Sequence, residues 1–314
     1  MICFDKLKIV TSTKHIKKFD ESKFQLSSLD GKIQYYKYTQ KTPFDLLIMI
    51  NYERDELVIE FTSKISTLSF FQLINEDTIY ECLYSLAPLL EFEGHIENIL
   101  DEFKVLKCDV TKDISYHDVK ELKRYVISNL ANHNKWICEK WGNGFVLKNL
   151  VTTKRCKKRI VVYDKGKELD NKKEKYTPLL ETIYDDGCIY NDFDGIIRME
   201  MNIGTIHQVK EHLNIPDNKL TSVLSSNANP ILTVLNEVLK KSSVNSSIKF
   251  THKERLQNLL LKDCDFDLRK VEAVVRSDYS KNTQIAKIMK PYIELYQRIQ
   301  NNKDPAFDLR KLIE

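Results

Sequence analysis

The chain has 314 residues and a mass of 36.9 kDa, and its 49 lysines and arginines outweigh 45 acidic residues to give a formal charge of +4. The eight glycines and seven prolines exclude collagen-like and low-complexity proteins, and the length supports one large or two smaller domains with proper cores. No apolar run approaches the roughly 20 residues of a membrane-spanning helix, and the N-terminus lacks the pattern of a secretory signal, so neither is expected.

The cysteine pattern indicates the redox environment. The seven cysteines are odd in number, lie far apart and include no C-x-x-C pair. This spacing argues against a zinc ribbon or a disulfide framework and favours a reducing compartment. We therefore expect a cytoplasmic protein.

The first two hundred residues are predicted to form mainly β-strands, with two helices among them. The prediction follows from apolar runs of strand or helix period, bounded by polar or turn-forming residues. The polar segment 53–56 favours a hairpin turn, and residues 142–144 favour a second turn. The predicted strands span 7–11, 33–38, 46–52, 57–62, 103–114, 159–164 and 196–203, and the predicted helices span 76–90 and 117–132.

Beyond Gly204 the apolar residues recur at helical spacing, over 205–213, 230–241, 252–263 and 268–301. We therefore expect an α+β fold, in which an antiparallel sheet with flanking helices is followed by a helical C-terminal region. The boundary is expected near residue 204, with a catalytic domain over 1–204 and a helical region over 205–314. A helix-turn-helix reader of duplex DNA, a dimer interface and a simple cap on the sheet all stay open as roles for the helical region.

Several predicted strands alternate polar with apolar side chains. Residues two apart in a strand share a face of the sheet. If these strands share one sheet, their polar faces converge into an acidic pocket beside a tyrosine and a lysine. The residues grouped in this way are Asp109, Thr111 and Asp113 in one strand, Arg198, Glu200 and Asn202 in a second, Tyr163 with Lys165 in a third, and Glu60 with Thr62 in a fourth.

An acidic pocket of this kind suits a hard divalent cation. All-oxygen ligation favours Mg²⁺ or Mn²⁺ over zinc. A tyrosine with an ordinary pKa of about 10 is a poor nucleophile at neutral pH, and a nearby cation would stabilise its phenolate and polarise a phosphodiester oxygen. This combination is what a protein needs in order to attach itself to a broken DNA strand. The candidate carboxylates are those of Asp109, Asp113, Glu168 and Glu200.

Four segments, in this order along the chain, resemble the rolling-circle replication initiators of small plasmids and phages, the Rep_trans type, together with gene II-like phage replication nickases and conjugative relaxases. The resemblance covers residues 45–203, about half of the chain. It implies that Tyr163 is the nucleophile, because the tyrosine of the Tyr-Asn/Asp-Lys segment has that role in the family. It also implies metal ligands among the flanking acidic residues, here Asp109, Glu200 and one of Asp113 or Glu168. The matching segments are Leu57–Phe61, Lys107–Asp113, Arg159–Lys165 leading to Glu168, and Arg198–Asn202.

The sequence departs from the family pattern in three respects. Cys108 stands where a larger aliphatic residue is usual, and the C-terminal helices carry no matching motif, so origin recognition is not carried over. None of the seven histidines forms the His-hydrophobic-His strand by which related nickases hold their metal. Metal ligands, if the fold is shared, are therefore expected to be carboxylates.

The resemblance implies a replication initiator that nicks one DNA strand at a rolling-circle origin of a plasmid, phage or other mobile element. Tyr163 would become linked to the 5′ phosphate and leave a free 3′ hydroxyl. From face and charge we expect Lys165 to stabilise the phenolate or the transition state, and Arg198 to contact the phosphate or position Glu200. Two alternatives stay open: a conjugative relaxase that nicks a transfer origin, and a non-catalytic DNA-binding regulator. Tyr190 is the second candidate for the nucleophile.

A run of basic residues precedes the proposed nucleophile. Lysines and arginines there would bind DNA phosphates without regard to sequence. The expected partners are duplex origin DNA and the nicked single strand, with a helicase and a second copy of the chain as further candidates and no membrane. The run consists of Lys154, Arg155, Lys157, Lys158 and Arg159.

Overall fold

The computed structural model describes residues 2–29, 32–41, 44–131, 135–151, 153, 157–175, 177, 193–240, 250–301 and 308–313. Within these ranges the strands are β1 Cys3–Thr11, β2 Ile16–Phe19, β3 Gln25–Leu29, β4 Lys32–Gln40, β5 Leu46–Asn51, β6 Glu56–Thr62, β7 Leu90–Phe92, β8 Lys104–Ser115, β9 Trp136–Trp141, β10 Gly144–Asn149, β11 Arg159–Asp164 and β12 Ile196–Ile203. The α-helices are α1 Ile79–Tyr84, α2 Ile96–Ile99, α3 Val119–Asn129, α4 Lys165–Asn171, α5 Ile206–Leu213, α6 Leu220–Leu224, α7 Pro230–Val238, α8 His252–Asp263, α9 Leu268–Asp278 and α10 Asn282–Asn301. A 3-10 helix over Ser63–Gln72 follows β6.

Packing divides the chain into two compact units, residues 1–117 with 151–231 and residues 118–150 with 232–314. The units do not follow the boundary expected near residue 204. Helix α5 packs on β8 of the sheet, so the chain beyond 204 stays in the first unit for two more helices. Residues 118–150 form α3 and the β9–β10 hairpin, and α3 packs on α10 in the second unit. The helical region over 205–314 is therefore divided between the units.

The first unit is built on an antiparallel sheet, as predicted. Its strands follow the order β3-β4-β5-β6-β1-β8-β12-β11, and each neighbouring pair is antiparallel. The predicted spans of β11 and β12 agree with the structure residue for residue. A second sheet of β2 and β7 was not predicted.

One face of the main sheet is apolar and forms the core of the first unit. Alternate positions on β1, β6, β8 and β12 point to this face and are almost entirely inaccessible to solvent. Each such side chain contributes roughly 1.5 to 3 kcal/mol to folding. Helix α5 buries Val209 and Leu213 where it packs on β8. The strand residues on this face include Leu7, Ile9, Ile59, Phe61, Cys108, Val110, Met199, Met201 and Ile203.

Two predicted helices are shorter than their apolar pattern suggested. The helix expected over 76–90 ends at Tyr84, and Leu90 begins β7, which pairs with β2. The helix expected over 268–301 is two helices, because Tyr279 adopts an extended conformation after Asp278. Strand pairing at Leu90 and the extended backbone at Tyr279 thus end these helices where the spacing of apolar residues alone predicts that they continue.

The second unit is mainly helical. Helices α8 and α9 pack on α10 around a core that contains Leu261, Val271 and Tyr296. The Tyr296 hydroxyl donates to the carbonyl oxygen of Ile127 in α3 at 2.8 Å, which ties α3 to α10. The β9–β10 hairpin turns at Gly142, whose φ of +51° suits glycine. Among the described residues, no helix is both long and apolar enough to cross a membrane.

Replacing Gly195 with alanine is expected to destabilise the first unit. Gly195 precedes β12 with φ of +68°, and a Cβ atom there would lie 2.2 Å from Cε1 of His117. The left-handed conformation predicts a loss of roughly 1 to 3 kcal/mol of unfolding free energy, and displacement of the exposed His117 ring adds to this loss. Urea unfolding checks this, and Gly94→Ala serves as the matched control: its φ is +75°, but nothing lies within 4 Å of the added atom. Equal losses of unfolding free energy in the two variants would contradict the expectation that contact with His117 makes the Gly195 substitution the more costly one.

Candidate active site on the polar face of the sheet

The opposite face of the same strands is polar, and cross-strand pairing brings its residues together. Arg198 of β12 has a directly opposed residue on each neighbouring strand: Asp113 of β8 on one side and Tyr163 of β11 on the other. One step along the strands Thr111 lies opposite Glu200, and a further step brings Asp109 opposite Asn202. Directly opposed residues have Cβ atoms about 5 Å apart and interact. The alternation read from the sequence therefore places these side chains on one face.

The junction of β11 and α4 positions the proposed nucleophile. Asp164 ends the strand, and its side chain accepts a hydrogen bond from the backbone N–H of Lys167, which caps α4. Tyr163 is therefore the second-last residue of the strand, and Lys165 is the first residue of the helix. Glu168 lies one helical turn after Lys165. A strand that ends in a capped helix turns these three side chains toward the same region.

Tyr163 is buried and forms a short hydrogen bond to a carboxylate. Its hydroxyl donates to Oε1 of Glu200 at 2.5 Å. Burial, and then the negative charge of Glu200, raise the pKa of Tyr163 well above its usual value. Burial also raises the pKa of Glu200 to about 7, with a further increase from the negative charge of Asp5. Near neutral pH the tyrosine thus keeps its proton and faces a carboxyl group able to accept it.

Lys165 lies beside the tyrosine in an aromatic and acidic setting. Its ammonium group contacts Oε2 of Glu168 at 2.8 Å and lies 5.8 to 5.9 Å from the ring centres of Phe70, Tyr163 and Phe193. Burial lowers the pKa of Lys165 to about 8, and the positive charge of Arg198 adds to this effect. Lys165 is therefore a cation that loses its proton more readily than an ordinary lysine.

Glu168 is held by two lysines. Lys165 donates to Oε2, and Lys172 donates to Oε1 at 2.5 Å. Burial opposes ionisation of Glu168, but the positive charge of Lys165 outweighs it and lowers the pKa of the carboxyl to about 2. Both oxygens of this carboxylate are thus engaged by cations.

Arg198 is the most deeply buried charged group of the site. Its side chain has no accessible surface. Nε and Nη2 donate to the two oxygens of Asp113 at 2.7 Å each, and Nη1 donates to Oδ1 of Asp5 at 3.1 Å. The pKa of Arg198 is raised: burial lowers it, but the charge of Asp113 outweighs this. This geometry supports the positioning role for Arg198 rather than contact with a phosphate, because a buried side chain with three engaged nitrogens has no surface for a substrate.

Asp5 belongs to the site and was missed in the sequence. The pairing of β1 with β8 shifts between Phe4 and Lys6, so Asp5 is the extra residue of a β-bulge. Its backbone N–H donates to Oγ1 of Thr111 at 3.2 Å. Burial opposes ionisation of Asp5, but Lys64, Arg198 and Lys165 outweigh it and lower the pKa. The alternation of β1 alone would place Asp5 with the apolar Leu7, so no sequence signal reveals its position.

Lys64 is a second residue that the sequence analysis missed. It lies in the 3-10 helix over Ser63–Gln72 and is buried, with 5% of its surface exposed. Its positive charge is the strongest favourable influence on Asp5. In the sequence it is one lysine after a strand, with nothing to distinguish it from a solvated residue.

The four carboxylates predicted as metal ligands do not meet in one site. Asp113 gives both oxygens to Arg198, and Glu168 gives both to lysines. Asp109 accepts a hydrogen bond from Asn202 on Oδ1, and Glu200 accepts one from Tyr163 on Oε1, so each of these two retains one oxygen. Among the described residues, no group of three or more His, Cys, Asp or Glu side chains is arranged to hold a metal ion. Asp109 and Glu200 thus each keep one carboxylate oxygen outside these hydrogen bonds, whereas Asp113 and Glu168 keep none.

The structure describes only part of the predicted DNA-binding run, and it does not describe Tyr190, the second candidate for the nucleophile. Lys154, Arg155 and Tyr190 lie outside the described residues. Lys157 is exposed, Lys158 is half-buried, and Arg159 begins β11 on the same face as Tyr163. The run therefore leads into the strand that carries the proposed nucleophile.

Comparison with models of known protein families found no match for this chain. Comparison with curated proteins found none with significant similarity.

Proposed function

We propose that the protein is a DNA nicking-joining enzyme that initiates rolling-circle replication, with Tyr163 as its nucleophile. One observation carries the proposal: the Tyr163 hydroxyl donates to the Glu200 carboxylate at 2.5 Å. A general base must lie within hydrogen-bond reach of the proton that it abstracts, and Glu200 meets this requirement. Buried beside a lysine and an arginine, the pair has the chemical groups for attack on a phosphodiester.

In the proposed step the Tyr163 oxygen attacks phosphorus. The new bond joins this oxygen to the 5′ phosphate, and the bond from phosphorus to the 3′ oxygen breaks. The phenolic proton passes to Glu200, and the departing 3′ oxygen takes a proton from water to become a hydroxyl. Lys165 lies close enough to the tyrosine ring to stabilise the phenolate charge as it forms. Attack by the 3′ hydroxyl reverses the step and rejoins the strand.

A divalent cation, Mg²⁺ or Mn²⁺, is part of the proposal. Asp109 and Glu200 would hold it through their remaining oxygens. When bound, it would polarise a phosphate oxygen and so assist the attack. The positive charge of Arg198 favours the Tyr163 phenolate, and its bonds to Asp113 and Asp5 hold the strand that carries Glu200.

The proposal includes a reducing, cytoplasmic setting and binding of duplex origin DNA, with a helicase and a second copy of the chain as candidate partners. The cysteines support the setting, since all five within the described residues are free thiols. A relaxase at a transfer origin would use the same chemistry, and a DNA-binding regulator would use none. Neither alternative is favoured by a particular contact.

The first experiment is an adduct assay. Wild type, Tyr163→Phe and Tyr190→Phe are incubated with supercoiled DNA carrying the origin of the same genetic element, with Mn²⁺ or Mg²⁺. We expect open circles and a denaturant-stable protein–DNA adduct from wild type and Tyr190→Phe. Tyr163→Phe should form less than a thousandth of the adduct, because phenylalanine has no oxygen with which to attack, as losses on this scale are typical for a removed nucleophile.

Two outcomes would overturn parts of the proposal. An adduct that persists in Tyr163→Phe but disappears in Tyr190→Phe would reassign the nucleophile. A wild-type protein that forms no adduct with either metal, yet binds the DNA reversibly, would establish the regulator instead.

A further inference from the structure

The polar face of the sheet continues beyond the candidate site, onto β1 and β6. Lys6 lies opposite Asp109, and Asp109 lies opposite Asn202, so the row that begins at the site extends across β8 to β1. Lys8 lies opposite Glu60 on one side and opposite Lys107 on the other. Lys6, Lys8 and Lys107, which we call the lysine patch, therefore share a face with Tyr163.

The lysine patch carries more positive charge than the protein neutralises. Three ammonium groups surround Glu60, with Nζ to carboxylate distances of 2.7 Å for Lys6, 3.2 Å for Lys8 and 4.0 Å for Lys107. Lys8 and Lys107 are directly opposed, and like charges in that arrangement destabilise a sheet. The carboxylate of Glu60 offsets one of the three charges. Asp109, which interacts with Lys6 and Lys107, offsets part of a second, so the patch keeps a net positive charge.

The lysines of the patch are half-buried, whereas the charged groups at the other end of the face are buried. The side chains of Lys6, Lys8 and Lys107 are 27%, 30% and 36% exposed, and Asn202 between the patch and the site is exposed as well. At the other end Arg198 and Lys165 are buried. Tyr163, itself buried, thus lies at the buried end of a sheet face whose other end is partly exposed and positively charged.

The geometry points to single-stranded DNA as the occupant of this face: we propose that the lysine patch binds phosphates of the strand that is cleaved, a few nucleotides from the scissile bond. Three strand spacings separate β11 from β1, which is about 14 Å across the sheet. A flat sheet face accepts an extended strand, and lysines along it neutralise phosphates without regard to base sequence. The inference rests on the proposed function for its link to cleavage. Binding of single-stranded DNA by the lysine patch does not depend on that function.

The test measures binding of a fluorescent oligo(dT) of about 20 nucleotides by anisotropy, in the Tyr163→Phe background so that no cleavage interferes. The triple variant Lys6→Gln, Lys8→Gln, Lys107→Gln is compared with the matched triple Lys17→Gln, Lys18→Gln, Lys23→Gln. The matched lysines lie in the first unit and are exposed, and Lys17 and Lys23 pair with Glu91 and Asp20.

We expect the patch variant to bind at least tenfold more weakly at moderate salt, whereas the matched variant binds like its parent. Losing three phosphate contacts should also lower the slope of log affinity against log salt by about 2, at about 0.7 per contact for single strands. Patch and matched variants that bind equally would overturn the inference and leave the patch to another partner, such as an acidic protein.

Glu60→Gln provides an independent measurement that does not depend on removing lysines. Deleting the carboxylate among the three ammonium groups increases the excess positive charge, so this variant should bind oligo(dT) several-fold more tightly. Unchanged or weaker binding by a folded Glu60→Gln protein would contradict the inference. If wild type forms no adduct but the patch variants change binding as expected, the nicking proposal fails and the binding surface stands. If wild type forms the adduct but the patch variants bind like their parent, the nicking proposal stands and the binding surface fails.

Discussion

Arg198→Met is expected to lower the free energy of unfolding by about 3 to 5 kcal/mol, the range found when one partner of a buried ion pair is removed. Methionine keeps much of the volume of the arginine but leaves the carboxylates of Asp113 and Asp5 without their shared cation. Both carboxylates lie largely away from water, with 26% and 15% of their side-chain surface exposed. Their uncompensated charge is the physical source of the loss, and urea unfolding at pH 7 measures it.

The control for this prediction is Arg276→Met. Arg276 also donates two hydrogen bonds to one carboxylate, that of Glu272, but its side chain is half exposed. Exposed ion pairs contribute between 0 and about 1 kcal/mol, so the control should lose no more than that. Similar losses of unfolding free energy for the two arginine variants would show that burial does not determine how much Arg198 stabilises the protein. They would also contradict the role assigned to Arg198 in holding β12.

Glu200→Gln is expected to make the protein progressively more stable than wild type as the pH rises from 5 to 7.5. The carboxyl of Glu200 has its pKa raised from 4.5 to about 7 by burial and by Asp5. Between these two values the folded protein holds a proton that the unfolded chain has released, so wild-type stability falls as the pH rises through this window. Linkage limits the fall to about 3 kcal/mol, and glutamine, which never ionises, avoids it.

The measurement is the unfolding free energy of both proteins at several pH values, with a chelator present so that no divalent cation binds the carboxylates. Glu254→Gln is the control, because hydrogen bonds from Arg298, which stays charged throughout this range, and from the Thr251 backbone lower the pKa of Glu254 from 4.5 to about 2. Its stabilising effect is fully present above pH 4.5 and is lost only as the pH falls toward 2, so that substitution should cost the same amount at pH 5 and at pH 7.5. A constant difference between Glu200→Gln and wild type would contradict the raised pKa.

The local organisation of the site could be predicted from the sequence. Strands β11 and β12 have their predicted bounds, and the period of two correctly groups Arg198, Glu200 and Asn202 on one face. The junction after Tyr163 was not predicted: Lys165 was expected on the strand face beside Tyr163, but it begins α4, which Asp164 caps. The faces of the strands depend on residues close in sequence, for which the period of two is sufficient.

The partners of each side chain were not predictable in this way. Asp113 and Glu168 were expected to bind a metal, but Arg198 and Lys165 engage them. The pairing of Asp113 with Arg198 depends on which strands become neighbours, whereas Lys165 and Glu168 meet because they lie one turn apart in α4, a helix that was not predicted. Asp5 joins the site only because a bulge shifts the register of β1 by one residue. The period of two cannot indicate a bulge, since the extra residue reverses the face that the pattern assigns.

The sequence by itself determined the bounds of β11 and β12, the α+β class with its antiparallel sheet, and the polar character of one sheet face. Only the tertiary structure decided the strand order, the two compact units, the burial of Arg198 and the meeting of Lys6, Lys8 and Lys107 around Glu60. The reason is physical. Hydrophobic period is a local property of the chain, whereas the burial of Arg198 and its pairing with Asp113 arise between segments 85 residues apart.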